Sequence, residues 1–185
     1  PQPLCDIEKE VTIRDHKWVK YSRLWDAMCY AQKNIFKQTG IKKAQVHVSG
    51  GVDSAIVAVL CAKSMGAKNC VFISNPSVHN GAVTKGNAQD ISDKLGVELF
   101  WVPIQETVEA IIKSSDTGLI RKISDVPFVV GTSEATARSA FGLSIANFFG
   151  SGIVSTGNHT ENVLGWFTFH DIGSIGVYQP IGDLS

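Results

Sequence analysis

The sequence predicts an α/β fold, a doubly wound and mostly parallel sheet with helices on both faces. Three observations carry that reading. Short β-branched runs alternate with segments of helical period, as in consecutive βαβ units. A glycine turn, Ser49-Gly50-Gly51-Val52-Asp53-Ser54, stands between one such run and a helix. The 185 residues, 44% of them hydrophobic, suffice for one sizeable core.

Taken in order, Pro1 to Lys20 is polar and mixed and reads as an arm or linker, leaving 21–185 as the folded domain. Leu24, Trp25, Met28, Ile35 and Phe36 recur at helical spacing over Tyr21–Gln38, and Gly40 stops that helix. Ala44–Val48 is the first strand. Ser54–Met65 is a helix, apolar on most sides at Ile56, Val57, Val59 and Leu60, and Gly66 ends it. Cys70–Ser74 is a second buried strand, and in a doubly wound sheet its end lies beside the glycine turn, where a nucleotide base would rest.

Val78–Gly86 is polar and glycine-containing and reads as a mobile loop before a helix over Asn87–Leu95. Val97–Val102 is a third strand, with a helix from Pro103-Ile104 to about Lys113. Ser114–Gly131 shows no clear period and reads as a flexible excursion. Thr132-Ser133-Glu134 has the pattern of a helix start, a hydroxyl cap before an acidic first turn. That helix ends at Gly150, and Gly152–Ser155 is a short fourth strand. Thr156 to Ser185 is rich in glycine and aromatics and has no readable period.

The 17 basic and 17 acidic residues give a net charge of zero, which argues against a broad nucleic-acid or membrane-surface footprint. No apolar run approaches membrane-spanning length. The four cysteines, Cys5, Cys29, Cys61 and Cys70, form no C-x-x-C pair and read as reduced thiols of a cytoplasmic protein. Two histidines eleven residues apart, His159 and His170, lack a third metal ligand. Trp25, Trp101 and Trp166 read as core or interface aromatics.

The glycine turn has the layout of a phosphate cradle. Free N–H groups at a helix start point at anions, and glycines permit positive φ and close backbone approach. Ser49 and Ser54 add hydroxyl donors, and Asp53 sets a carboxylate where a phosphate-bridging Mg²⁺ would sit. The turn lacks the closing Gly-Lys-Ser/Thr of a Walker A loop and is not G-x-G-x-x-G. Gly50-Gly51 alone would fit any tight βα turn; the complete hexapeptide is more specific. A second constellation, Ser155-Thr156-Gly157-Asn158-His159-Thr160-Glu161, leaves another strand end at the same edge of the sheet and can face Asp53.

The hexapeptide resembles the pyrophosphate loop of N-type ATP pyrophosphatases. Together with Ser155–Glu161 and Gly165-Trp166-Phe167-Thr168 it resembles NAD synthetases, from about Trp25 to Ser185. Ala137-Arg138 matches a helix motif of that family, and Pro180–Leu184 resembles the segment entering its lysine-bearing loop. Asn75-Pro76-Ser77 and Asn87-Ala88 resemble its glutamine-dependent branch. The resemblance implies a Rossmann-like fold of the ATP-pyrophosphatase type, incomplete at its C-terminus, with the loop lysine beyond Ser185.

The resemblance also implies amidation of deamido-NAD by ammonia, or by glutamine through a separate glutaminase domain, via an acyl-adenylate. ATP and Mg²⁺ take part, and AMP and pyrophosphate leave. By position, Ser49, Gly50, Gly51, Asp53 and Ser54 hold pyrophosphate and metal, with Asp53 and Ser54 at the reacting centre. Thr156 contacts ATP, Glu161 binds Mg²⁺ and Arg138 contacts deamido-NAD. A homodimer is implied. The chain departs from the family pattern at Phe169 and Ala140. Two further readings fit the same residues: another adenylating amidotransferase of the GMP-synthetase type, and a nucleotide-binding domain without catalysis.

Overall fold

The computed structural model describes residues 16–78, 81–116 and 127–184. Four strands, β1 (Lys43–His47), β2 (Cys70–Ser74), β3 (Leu99–Trp101) and β4 (Ser151–Ile153), form one sheet in the order β3-β2-β1-β4. Every pairing is parallel, with Val46 opposite Phe72, Phe72 opposite Leu99 and Ala44 opposite Gly152. The expected doubly wound, parallel architecture is present. The strand order runs outward from β1 in both directions, so the topological switch lies between β1 and β4.

The helices are α1 (His16–Thr39), α2 (Val52–Met65), α3 (Ala82–Leu95), α4 (Gln105–Ser115), α5 (Pro127–Phe149) and α6 (His159–Leu164). α1, α2 and α3 form one layer, and α4 and α5 the other. Strand β1 shows why two layers are needed. Its alternation sends Ala44, Val46 and Val48 into the main core with Phe36, Leu60 and Phe72. Burying each large side chain there is worth about 1.5–3 kcal/mol. The opposite face carries Gln45 and His47 toward α5, where Gln45 Nε2 donates to Gly142 O at 2.8 Å. Smaller clusters, Ile104–Val108–Ala137 and Ala146–Ile153–Ile172, seal that second layer.

β2 coincides with the expected strand, and β1 is shifted by one residue. Three expectations are corrected. α1 starts at His16, inside the segment read as an arm, because its first turns are too polar to show a period. α3 starts at Ala82 rather than Asn87: Gly81 stands at its N-cap and Gly86 lies within it, so part of the expected loop is helix. α5 starts at Pro127 rather than Thr132. The Thr132 and Ser133 hydroxyls bond back to the carbonyls of Phe128 and Val129, four residues earlier, and so are helix-interior groups rather than caps. The rest of the loop expected over Ser114–Gly131 falls mainly on 117–126, and Cys5 on the first residues; both lie outside the described residues.

Beyond β4 the chain resolves into α6 and a series of turns. A parallel bridge joins Val154 to Tyr178, and Ser155 N donates to Tyr178 O at 2.9 Å, so the C-terminal segment lies alongside the end of β4. The final residues pack beside α6, where His159 N donates to Leu184 O at 2.8 Å. No described helix is long and apolar enough to cross a membrane.

Candidate functional site

Strand β1 ends at the glycine turn and β4 ends at Ser155-Thr156-Gly157, so the two constellations flank the switch point of the sheet. A crevice at that place is where open parallel sheets bind ligands. Two adjoining cavities occupy it, of about 230 and 240 Å³. The first is lined by the ends of β1 and β2, including His47, Ser74, Asn75 and Pro76, with Thr84, Lys85 and Arg138. The second is lined by Gly51, Asp53, Ser54, Glu161 and Trp166. Ser49, Thr156, Asp171 and Gly173 belong to both. Each is smaller than the ~300 Å³ at which small-molecule sites begin. An elongated ligand running through both fits the shape better than two compact ones.

The two glycines of the turn have different duties. Gly50 has φ +87°, and a Cβ there would come within 2.0 Å of Thr84 O on α3. Its conformation and the close approach of α3 both require glycine. Asn87 Nδ2 fastens the contact by donating to Gly50 O at 3.3 Å. Gly51 has φ −85° and begins α2 with no side-chain cap, and Gly51, Asp53 and Ser54 at that helix start line the second cavity.

The two serine hydroxyls are hydrogen-bonded within the turn. Ser54 Oγ donates to Gly51 O at 2.9 Å, accepts from Ser49 N at 3.2 Å and lies 3.1 Å from Ser49 Oγ. The Ser54 hydroxyl braces the turn internally. Ser49 Oγ additionally accepts from Gly51 N at 3.3 Å. The cradle is therefore held in shape before any ligand arrives.

Asp53 and Glu161 face the same cavity from opposite sides of the switch. Asn158, which the sequence reading did not single out, joins them. Its Nδ2 donates to Asp53 Oδ2 at 3.3 Å, and its Oδ1 accepts from Glu161 N at 2.9 Å. Glu161 Oε2 returns the bond to Asn158 N at 3.0 Å, completing a capping box at the start of α6. The spacing Asn158-x-x-Glu161 was a readable signal for that cap. One oxygen of each carboxylate remains available to a ligand.

Arg138 lines the first cavity, engaged by acids. It makes a two-point contact to Asp171, with NH2 to Oδ2 at 3.0 Å and Nε to Oδ1 at 3.4 Å, and a 3.7 Å ion pair to Glu134 one turn earlier. Asp171, another residue the sequence reading assigned no role, thereby fastens the C-terminal turn to α5. Its partner neutralises it, whereas among the described residues no lysine or arginine lines the second cavity beside Asp53 and Glu161. Trp166 is 79% exposed at the rim of that cavity, so it is not a core residue. His170 bonds Thr136 Oγ1 at 3.0 Å. Among the described residues no group of three His, Cys, Asp or Glu side chains could hold a metal ion by itself.

A family model, NAD synthase, matches residues 24–185. The NH(3)-dependent NAD(+) synthetase of Methanococcoides burtonii is 32% identical over 146 residues, covering 79% of this chain and 54% of that protein. The glutamine-dependent NAD(+) synthetase of Thermotoga maritima is 24% identical over 152 residues, covering 82% of this chain and 26% of that one. The chain thus spans about half and about a quarter of these relatives. Among solved structures, the glutamine-dependent NAD+ synthetase of Acinetobacter baumannii in complex with ADP shares the fold at TM-score 0.81 and 20% identity. It is covered over 30% of its length, against 88% of this chain. The NMN synthetase of Francisella tularensis superposes with TM-score 0.78 at 20% identity, covering 88% of this chain and 65% of that one.

Proposed function

This chain belongs to the NAD synthase family, and on that premise we propose that it forms the ATP-binding part of an enzyme that amidates deamido-NAD to NAD. ATP lies through the joined cavities, with its base near Asn75 and Pro76 and its β- and γ-phosphates on the cradle at Gly51–Ser54. The nicotinate carboxylate attacks the α-phosphorus and pyrophosphate leaves. Ammonia then displaces AMP from the acyl-adenylate. Ammonia is supplied free or from glutamine by a glutaminase.

The observation that carries the reading is the pair Asp53 and Glu161, joined through Asn158 on the wall of a cavity that also holds the start of α2. Two carboxylates without a lining cation repel a polyphosphate, and an oxygen-seeking divalent cation resolves the conflict. The donor set fits Mg²⁺, which is bound by one or two carboxylates together with substrate phosphates and water. Asp53 and Glu161 would hold it, and it would supply neutralisation of phosphate charge.

The chain's own groups do the rest. The N–H groups at the start of α2 favour the charge gathering on departing pyrophosphate. Ser54 and Ser49 keep the turn in its receiving shape, so little reorganisation accompanies reaction. Thr156, common to both cavities, stands where the α-phosphate would lie. Arg138, held by Asp171, offers its remaining donors to the acceptor acid. No protein nucleophile is required, since the attacking carboxylate belongs to the substrate.

The homodimer and the cytoplasmic setting are part of the proposal. Cys29, Cys61 and Cys70 are all free thiols, which suits a reducing compartment. The test is pyrophosphate release on adding ATP and Mg²⁺ with each acid in turn. Release that depends on deamido-NAD is expected. Release only with nicotinic acid mononucleotide, or with xanthosine monophosphate, would replace the acceptor while keeping the adenylation.

A further inference from the structure

A chain of buried polar groups crosses one face of the sheet and ends in the first cavity. Ser151 Oγ donates to Gln45 Oε1 at 3.0 Å, and Gln45 Nε2 donates to Gly142 O at 2.8 Å. Gln45 Nε2 also lies 3.0 Å from His47 Nε2. His47 Nδ1 lies 2.6 Å from Asn75 Oδ1, and Asn75 Nδ2 donates to Val102 O at 3.1 Å.

The order of donors along this chain has one solution. The Gly142 carbonyl only accepts, so the nitrogen of the Gln45 amide must face it. That nitrogen then donates to His47 Nε2, which must be unprotonated, and the ring proton resides on Nδ1. Nδ1 donates to Asn75, whose oxygen therefore faces the ring. Its nitrogen faces the Val102 carbonyl, another pure acceptor. Two backbone carbonyls thus fix every amide and the imidazole tautomer between them. The ring lies against the backbone of Gly142, where an added Cβ would stand only 3.0 Å from His47 Nε2, so a side chain at that position would displace it. Burial holds His47 neutral, with its pKa lowered to about 4.

Asn75 lines the cavity with one amide hydrogen and one oxygen lone pair unused. An amide free to flip would satisfy adenine or guanine alike, since the two bases present donor and acceptor in opposite order. A locked amide does not. We propose that His47 is a positioning residue that holds the Asn75 carboxamide in one orientation, so that Asn75 reads the base of the entering nucleotide and selects adenine over guanine. This rests on the reading that the cavity takes the base of ATP.

The experiment is calorimetric binding of ATP, GTP and inorganic tripolyphosphate to the whole chain. The parent should favour ATP over GTP. His47→Leu and Asn75→Leu should each reduce that preference roughly tenfold, the scale of one well-oriented amide–base contact, with tripolyphosphate affinity unchanged. His47→Gln can donate to Asn75 and accept from Gln45, and should keep the preference. A folded His47→Leu with the parent's preference overturns the inference. So does equal loss in His47→Gln and His47→Leu, which would leave the ring only a packing role. Should His47→Leu fail to fold, ¹⁵N NMR of the parent's imidazoles decides the matter: a neutral ring protonated at Nδ1 is expected, and one protonated at Nε2 overturns it. Binding of tripolyphosphate with no preference between the bases would overturn this inference alone. No binding of any of the three would overturn the nucleotide reading with it.

Discussion

Replacing Gly50 and Gly51 separately by alanine should divide the cradle into a folding half and a ligand half. At Gly50 the new Cβ would lie 2.0 Å from Thr84 O, well inside contact distance, on a backbone with φ +87°. A left-handed conformation costs a non-glycine residue roughly 1–2 kcal/mol. Relieving the clash moves the first turn of α3 and breaks the Asn87–Gly50 bond, worth about 1 kcal/mol more. The expected destabilisation is about 3 kcal/mol, a large part of the ~5–15 kcal/mol that holds a domain. At Gly51 the nearest atom would be Ser49 Oγ at 3.4 Å, ordinary contact, and φ is −85°. Gly51→Ala should therefore change stability by about 1 kcal/mol or less, while its methyl obstructs phosphate approach to the start of α2. Urea denaturation and ATP calorimetry on both variants give the comparison. A Gly50→Ala protein as stable as the parent would refute the account of the α3 contact. Undiminished ATP binding by Gly51→Ala would refute the phosphate geometry.

Asp53→Asn should abolish Mg²⁺-dependent ATP turnover with a stability change under ~1 kcal/mol, because it removes charge but keeps an acceptor for Asn158; coupled turnover and thermal melting check both halves. Glu161 has a capping and a metal-binding duty, and two variants separate them. Glu161→Gln should keep α6 and lose the Mg²⁺ dependence, whereas Glu161→Ala should lose about 1 kcal/mol of stability as well. His47 should make the fold acid-sensitive. Its folded pKa lies below the ordinary value of 6.5, at about 4, so between those values the unfolded chain binds the extra proton and stability falls as pH falls. The slope is about 1.4 kcal/mol per pH unit across that window. Denaturation at several pH values, parent against His47→Gln, should show the slope only in the parent; parallel curves would refute it.

The parts of this molecule legible in the sequence are those fixed by local pattern. Cys70–Ser74 is a strand because four of its five residues are buried, and the run announces that directly. The glycine turn and Thr156–Glu161 were readable as two halves of one site because strand ends in a parallel sheet share an edge. Helix starts were less legible. Thr132 and Ser133 look like caps, yet their hydroxyls serve carbonyls within a helix that Pro127 begins. Proline at the first helical position is itself a start signal, here outweighed by the polar stretch before it. Asn158 was available as a capping-box residue, but its reach to Asp53 depends on β1 and β4 being neighbours. Gln45 and His47 are the polar positions of a short run that reads only as a strand. Their partners, 28 to 106 residues away in sequence, come together only when all four strands are in register.

We propose that this site divides ATP between its α- and β-phosphates and that the Asp53 carboxylate is necessary for it. ³¹P NMR of ATP incubated with the whole enzyme that contains this chain, Mg²⁺, ammonia and deamido-NAD is the test. AMP and pyrophosphate should accumulate together, only when the acceptor acid is present, and not with Asp53→Asn. Formation of ADP and inorganic phosphate, acid-independent turnover, absence of products, or undiminished product from Asp53→Asn would contradict the account.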